Sequence, residues 1–224
     1  MRPALIVVAA TLLVHSAAAQ PEARFETNLG NFTILLESEK APLTVANFIR
    51  YTKAGHFNGT VFYRIVPGFV IQAGSMGADG AWRALRKPIA LETSLSNTRG
   101  TIAMARDEKP ATAAAEFFIN LSDSNAKALD AKPDAAPNTT GYAVFGHVTS
   151  GMEVVDAIAT TPIGAGIGPF PENYPMKAVS IKKVTIGEAP VPGPVPPEPE
   201  PTATVAPPAA PPTQTGLPPQ QAPK

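Results

Sequence analysis

The chain has no cysteine. That absence excludes disulfides, a lipid-modified N-terminal cysteine, thiolate nucleophiles and cysteine-based zinc sites together, so stability must come from a packed core. Histidine is scarce as well: His15, His56 and His147 are the only three, and His15 lies in the first 19 residues. Two histidines without a thiol do not make a structural zinc site, and no metal is expected. There is no block of lysines or arginines, and the 18 basic and 18 acidic residues give a net charge of 0. Nucleic acid is therefore excluded as an expected partner, and so is electrostatic docking on a membrane.

Only one long apolar run occurs, and it lies at the start. Arg2 gives Met1 to Ala19 a positive beginning, Ala4 to Val14 is apolar, and Ala17-Ala18-Ala19 supplies the small residues a signal peptidase needs. The run is too short to span about 30 Å of hydrocarbon comfortably, so cleavage before Gln20 is expected and no membrane span remains afterwards. Export to the periplasm, or secretion, follows. The other end differs again: from Ala189 onward 14 of 36 residues are proline, none is aromatic, and Glu198, Glu200 and Lys224 are the only charged side chains. Such a segment cannot bury enough apolar surface to offset its ordering entropy, and residues 189–224 read as a disordered proline-rich tail. Residues 20–188 remain as one domain, long enough to bury close to 70% of its unfolded surface without staples.

Within that domain, Ala23–Thr27 and Phe32–Leu36 flank Asn28-Leu29-Gly30-Asn31 as a first hairpin. Pro42 to Ala54 reads as a helix, with proline in the first turn, Gly55 at the C-terminal cap, and Val45, Phe48, Ile49 and Thr52 as its buried stripe. A second helix is predicted from Met152 to Thr160, where Met152, Val155, Ile158 and Ala159 recur at helical spacing before Pro162. The other regular segments look like strands: 61–66, 69–73, 101–105, 117–121, 143–148 and 178–186. Many short strands and two helices make the fold mainly β, an antiparallel barrel or sandwich.

The most informative stretch runs from Val61 to Gly74. Pro67-Gly68 suits a type II turn, because proline presets φ near −65° and glycine tolerates the positive φ that follows. Alternation then puts Phe62, Arg64 and Val66 on one face of the first strand, and Val70 and Gln72 on one face of the second. A cation and an amide on an apolar sheet face are costly unless they meet something polar.

This run, F-x-R-[IV]-[IV]-P-G-F-[MV]-x-Q-x-G, resembles the signature of the cyclophilins, the cyclosporin-binding class of peptidyl-prolyl cis/trans isomerases. Arg99–Ala105, Phe117–Asn120 and Gly141–Val148 follow in the family's order, and the likeness covers residues 23–187, closest to bacterial periplasmic members. The resemblance implies an eight-stranded antiparallel barrel with one helix closing each end. It implies Arg64 as the catalytic donor and Gln72 as the amide that positions substrate backbone. It also implies Phe69, Val70, Phe118 and Leu129, with Ala105 and Tyr142 nearby, as the proline pocket. No cofactor is needed, and the partners are proline-containing unfolded or extended polypeptides met by a monomer.

Three positions depart from the family pattern. Ala128 stands where an aromatic is usual, Glu116 replaces a glutamine, and Arg106 stands where many relatives have asparagine. A carboxylate at Glu116 could hold Arg64 in place or withdraw some of its charge, and spacing alone leaves both open. These departures sustain a competing expectation, a low-activity peptide-binding chaperone or cell-envelope adaptor on the same barrel. Gly164-Ala165-Gly166-Ile167-Gly168 lacks the lysine-serine pair of a phosphate loop and reads as a connection.

Overall fold

The computed structural model describes residues 20–132, 140–164, 166 and 169–187. The expected signal peptide, the proline-rich tail, and parts of the loop after α2 and of the glycine run lie outside the described residues. Among those described, no helix is long and apolar enough to cross a membrane.

The chain forms β1 (Glu22–Thr27), β2 (Gly30–Leu36), α1 (Pro42–Lys53), β3 (Thr60–Val61), β4 (Arg64–Val66) and β5 (Val70–Ala73). There follow β6 (Thr101–Met104), β7 (Phe117–Asn120), α2 (Asn125–Leu129), β8 (Val144–Ser150), α3 (Met152–Ala159), β9 (Ile163–Gly164), β10 (Tyr174–Pro175) and β11 (Ser180–Ile186). Nine strands join in the order β3-β11-β1-β2-β8-β6-β7-β5-β4, and β9 pairs with β10 separately. Every pairing is antiparallel. The two edges, β3 and β4, are halves of one run interrupted only at Phe62-Tyr63, so the curled sheet comes round on itself. Counted as one strand, they bring this sheet to the eight strands that the family resemblance implies.

The interruption corrects one expectation. Phe62 does not share the face of Arg64: its N–H bonds to the Val179 carbonyl at 2.9 Å, and its ring joins the interior cluster with Ile65. Strict alternation fails because the chain changes edge there, donating next from the Tyr63 N–H to the Gln72 carbonyl at 3.1 Å.

Helix α1 starts on Pro42, and its free N-terminal amides at Leu43 and Thr44 donate to the Glu92 carboxylate at 3.1 and 2.8 Å. It ends in a Schellman motif: Gly55, at φ +70°, donates to the Thr52 carbonyl and His56 to that of Tyr51. Val45, Phe48, Ile49 and Thr52 are buried as expected, and Phe48 packs among Phe25, Phe57, Phe117 and Phe145. Val155 and Ile158 of α3 enter the same core. The third helix, α2, was not expected; at five residues it is too short to show a period.

Register defines two faces. Ile65, Ile71, Ile119, Ile102 and Gly146 stand opposite one another across β4, β5, β7, β6 and β8, and they face the core. A β-carbon on Gly146 would meet the Leu35 carbonyl at 2.5 Å, so glycine lets these strands close on the interior. One residue along, the neighbouring row faces the opposite side of the sheet.

Candidate active site

That second row reads Arg64, Gln72, Phe118, Ala103, each directly opposite the next, with Val144 beyond Ala103 across β8. The sheet thus aligns one cation and one amide with an apolar strip on a face turned away from the main core. Phe69, Val70, Ala103, Ala105, Phe118, Leu129, Tyr142 and Val144 form a cluster of their own there, flanked by Val66 and Leu95. All the expected pocket residues are brought together; Ala103, Val144 and Leu95 are additions. The signal for Ala103 and Val144 was available in β6 and β8, whose alternation fixes which residues share the Phe118 face, whereas Leu95 comes from an irregular segment that no period marks.

Local structure explains the placement. The Phe69 N–H closes the turn onto the Val66 carbonyl at 3.0 Å with Gly68 at φ +70°, the conformation a type II turn requires at that position. Asn125, buried at the start of α2, donates to the Phe69 carbonyl at 2.7 Å and to Asn120 Oδ1 at 2.8 Å. Those bonds pin α2 against the turn and set Leu129 into the cluster, while Ala128 is exposed. Tyr142 meets Phe118 edge-on at 5.4 Å. Arg106 lies 4.8 Å over the Tyr142 ring, and its donors are taken by the carbonyls of Gly141, Asp107 and Glu108 and by Thr140 Oγ1. Arg106 is thereby a scaffold for Tyr142.

Arg64 differs. Its Nη1 donates to Gln72 Oε1 at 3.2 Å, its Nε is buried without a hydrogen-bond partner, and no carboxylate among the described residues forms an ion pair with it. Phe170 lies 5.0 Å from its Cζ. Burial lowers the Arg64 pKa from its ordinary value, but a guanidinium remains charged at any physiological pH. Phe170 was not anticipated; it comes from a loop with no periodicity to read.

Glu116 does not pair with Arg64. Its carboxylate accepts from Tyr63 Oη at 2.8 Å and from the Ser75 N–H at 2.8 Å, and Tyr63 in turn accepts from Gln72 Nε2 at 2.7 Å. Burial pushes the Glu116 carboxyl up to about 7 and the Tyr63 phenol well above its ordinary range. Alternation puts Tyr63 on the face away from Arg64, so the sequence does not mark it as part of the site.

Comparison with known proteins shows the family. Residues 23–186 match the family described as cyclophilin type peptidyl-prolyl cis-trans isomerase. A peptidyl-prolyl cis-trans isomerase of Acinetobacter baylyi is 40% identical over 187 residues, covering 82% of this chain and 96% of the relative. Peptidyl-prolyl cis-trans isomerase B of Escherichia coli is 38% identical over 166 residues, 73% of this chain and 98% of the relative. A cyclophilin-type isomerase of Cryptosporidium parvum superposes with a TM-score of 0.60 at 23% identity, covering 77% of this chain and all of that one. The chain belongs to the cyclophilin family. It is a peptidyl-prolyl cis-trans isomerase, an enzyme, as the sequence reading expected.

Proposed function

We propose that this enzyme accelerates X-Pro isomerisation during the folding of exported proteins, with Arg64 stabilising the twisted transition state. Rotation must break the conjugation of the prolyl amide against a barrier of about 18–20 kcal/mol, and no covalent bond is made or broken. In the twisted state the imide nitrogen regains its lone pair and becomes an acceptor. A fixed donor aimed there binds the transition state more tightly than either planar form. The observation that carries the reading is the row itself: Arg64, held by Gln72 and free of any carboxylate among the described residues, stands beside the apolar strip of Phe118 and Ala103.

In this scheme the proline ring rests on Phe69, Val70, Phe118 and Leu129, with Ala105 and Tyr142 at its margin. Gln72 orients the substrate backbone as well as Arg64. A C. parvum family member was crystallised in the presence of the dipeptide Ala-Pro, a substrate fragment of the size this strip would hold. Export is supported by the charge and apolar pattern of residues 1–19, and the tail is read as a spacer or as a weak ligand for its own domain or for cell-envelope partners. The domain is taken to act as a monomer without a cofactor.

Two measurements test this reading. Cell fractionation should find the mature protein, beginning at Gln20, in the periplasm or medium. The same protein should shorten the proline-limited refolding phase of an exported substrate, and Arg64→Ala should leave that phase slow.

A further inference from the structure

Behind Arg64 and Gln72 lie two further buried polar groups, Tyr63 and Glu116, that the rotation step does not itself use. Tyr63 is 1% exposed, Gln72 0% and Glu116 2%. The hydrogen bonds among them run in one direction: Arg64 Nη1 donates to Gln72, Gln72 Nε2 to Tyr63, and Tyr63 Oη to Glu116. A series of donors pointing one way needs an acceptor at its end, and an ionised carboxylate only accepts. The ring that links them is fixed on two sides, by Trp82 edge-on at 5.2 Å and by Phe170 stacked at 6.3 Å.

We propose that Glu116 is a positioning residue for the isomerase reaction: through Tyr63 and Gln72 its carboxylate holds Arg64 in register with the apolar strip, and protonation of Glu116 releases that hold. The proposal rests on the Arg64-centred mechanism above.

The geometry dictates the consequence of adding one proton. Oε1 faces the Ser75 N–H, a fixed donor, and the Ser75 side chain also hydrogen-bonds the carboxylate, so the proton that breaks the series is the one taken by Oε2, which faces Tyr63. The Tyr63 hydroxyl must then turn its own proton toward Gln72 or leave it buried without an acceptor, which is costly. Gln72 can accept it only by turning its carbonyl to Tyr63, and its amide then faces the guanidinium, donor against donor. A single protonation thus reverses the series and frees Arg64.

The titration falls in a useful range, since burial places the Glu116 carboxyl at about 7. The other groups around it hold their charge there. Tyr63 and Tyr51, the latter on α1, are raised by burial and stay neutral. His56, after α1, reaches Ser75 Oγ at 2.9 Å, but burial first, and then Arg83 and Arg86, lower it to about 4. Arg64 remains cationic, and the α1 residue Arg50 acts on Tyr51.

The test measures kcat/KM of the full chain on a short Ala-Pro peptide by NMR exchange between pH 5.5 and 8.5, since rotation of an uncharged amide is itself indifferent to pH in this range. The wild type should rise three- to tenfold with a midpoint near 7. Glu116→Gln, whose carbonyl still accepts from Tyr63 and which does not titrate, should give a flat profile. Glu116→Leu and Tyr63→Phe should be flat and low. In the unmodified protein the Gln72 side-chain amide signals should shift with the same midpoint, a reading that needs no variant to fold. A flat wild-type profile, a Gln72 amide that does not titrate, or a step retained by Glu116→Gln overturns the proposal. Arg64→Ala in the same assay separates the two layers: its inactivity beside a flat wild-type profile sinks the relay alone, whereas full activity sinks the mechanism beneath it.

Discussion

The carboxylate of Glu116 occupies the place where a β-carbon on residue 74 would stand. Gly74 has φ +155°, and a β-carbon built there would lie 2.4 Å from Glu116 Oε2 and 2.7 Å from Oε1. The glycine that ends the hairpin motif therefore serves the buried acid seated against it, and the acid in turn reaches Arg64 only through Tyr63 and Gln72.

Gly74→Ala should displace the carboxylate and cost about 2–4 kcal/mol, combining backbone strain with overpacking. For a domain of this size that is a fall in Tm of roughly 5–15 °C. Gly68→Ala is the control. Its φ is also positive, at +70°, but nothing lies within 4 Å of the added carbon, so only the backbone penalty of about 1–2 kcal/mol applies. Calorimetry on the two variants should rank Gly74→Ala as clearly the worse; equal losses would mean that Glu116 is not confined as described.

Stability against pH follows from two buried groups of opposite sign. Glu116 has a folded pKa raised from 4.5 to about 7, so the folded state binds the extra proton between those values, and this contribution to stability is lost as pH rises through them. It amounts to about 3 kcal/mol at full effect. His56 has a folded pKa lowered from 6.5 to about 4, so its contribution is present above 6.5 and lost as pH falls toward 4. The two oppose each other between about pH 4.5 and 6.5. Urea unfolding of the wild type should accordingly change little across that window, whereas Glu116→Gln, which retains only the His56 contribution, should lose stability steadily on acidification. A Glu116→Gln curve parallel to that of the wild type would contradict the assignment.

Cyclosporin inhibition should be weak. Ala128 is exposed on α2 beside Leu129, and a missing aromatic wall at that point costs a large ligand on the order of 1–3 kcal/mol, about 5- to 150-fold. Ala128→Trp should tighten inhibition, measured as the inhibitor concentration that halves peptide turnover. Nanomolar inhibition of the unmodified enzyme would show that the wall is supplied by other residues.

The hairpin from Val61 to Gly74 was legible because proline, glycine and a period of two each carry local information. The same holds for α1, whose stripe of Val45, Phe48, Ile49 and Thr52 emerged as buried. The sequence could not show that Phe62-Tyr63 carries the chain from one sheet edge to the other, since that depends on where β11 and β5 arrive. For this reason alternation puts Phe62 on the wrong face and gives Tyr63 no part in the site. Gln72, Phe118 and Leu129 could be named from motifs, but their alignment with Ala103 and Val144 is a property of inter-strand register. Phe170 and Trp82 reach Tyr63 from irregular segments distant in sequence, and no local pattern marks them.

The central claim is that a preorganised guanidinium at position 64 lowers the rotational barrier, and the rate on a short Ala-Pro peptide tests it most directly. With residues 20–188, without added metal or cofactor, Arg64→Ala should lower kcat/KM by roughly 10²–10³, the scale for removing one fixed donor at a transition state. Arg64→Lys should recover only part of this, because an ammonium lacks the planar fork that Gln72 orients. Circular dichroism and Tm should stay close to wild type. An Arg64→Ala enzyme that keeps full kcat/KM with an unchanged fold would contradict the account.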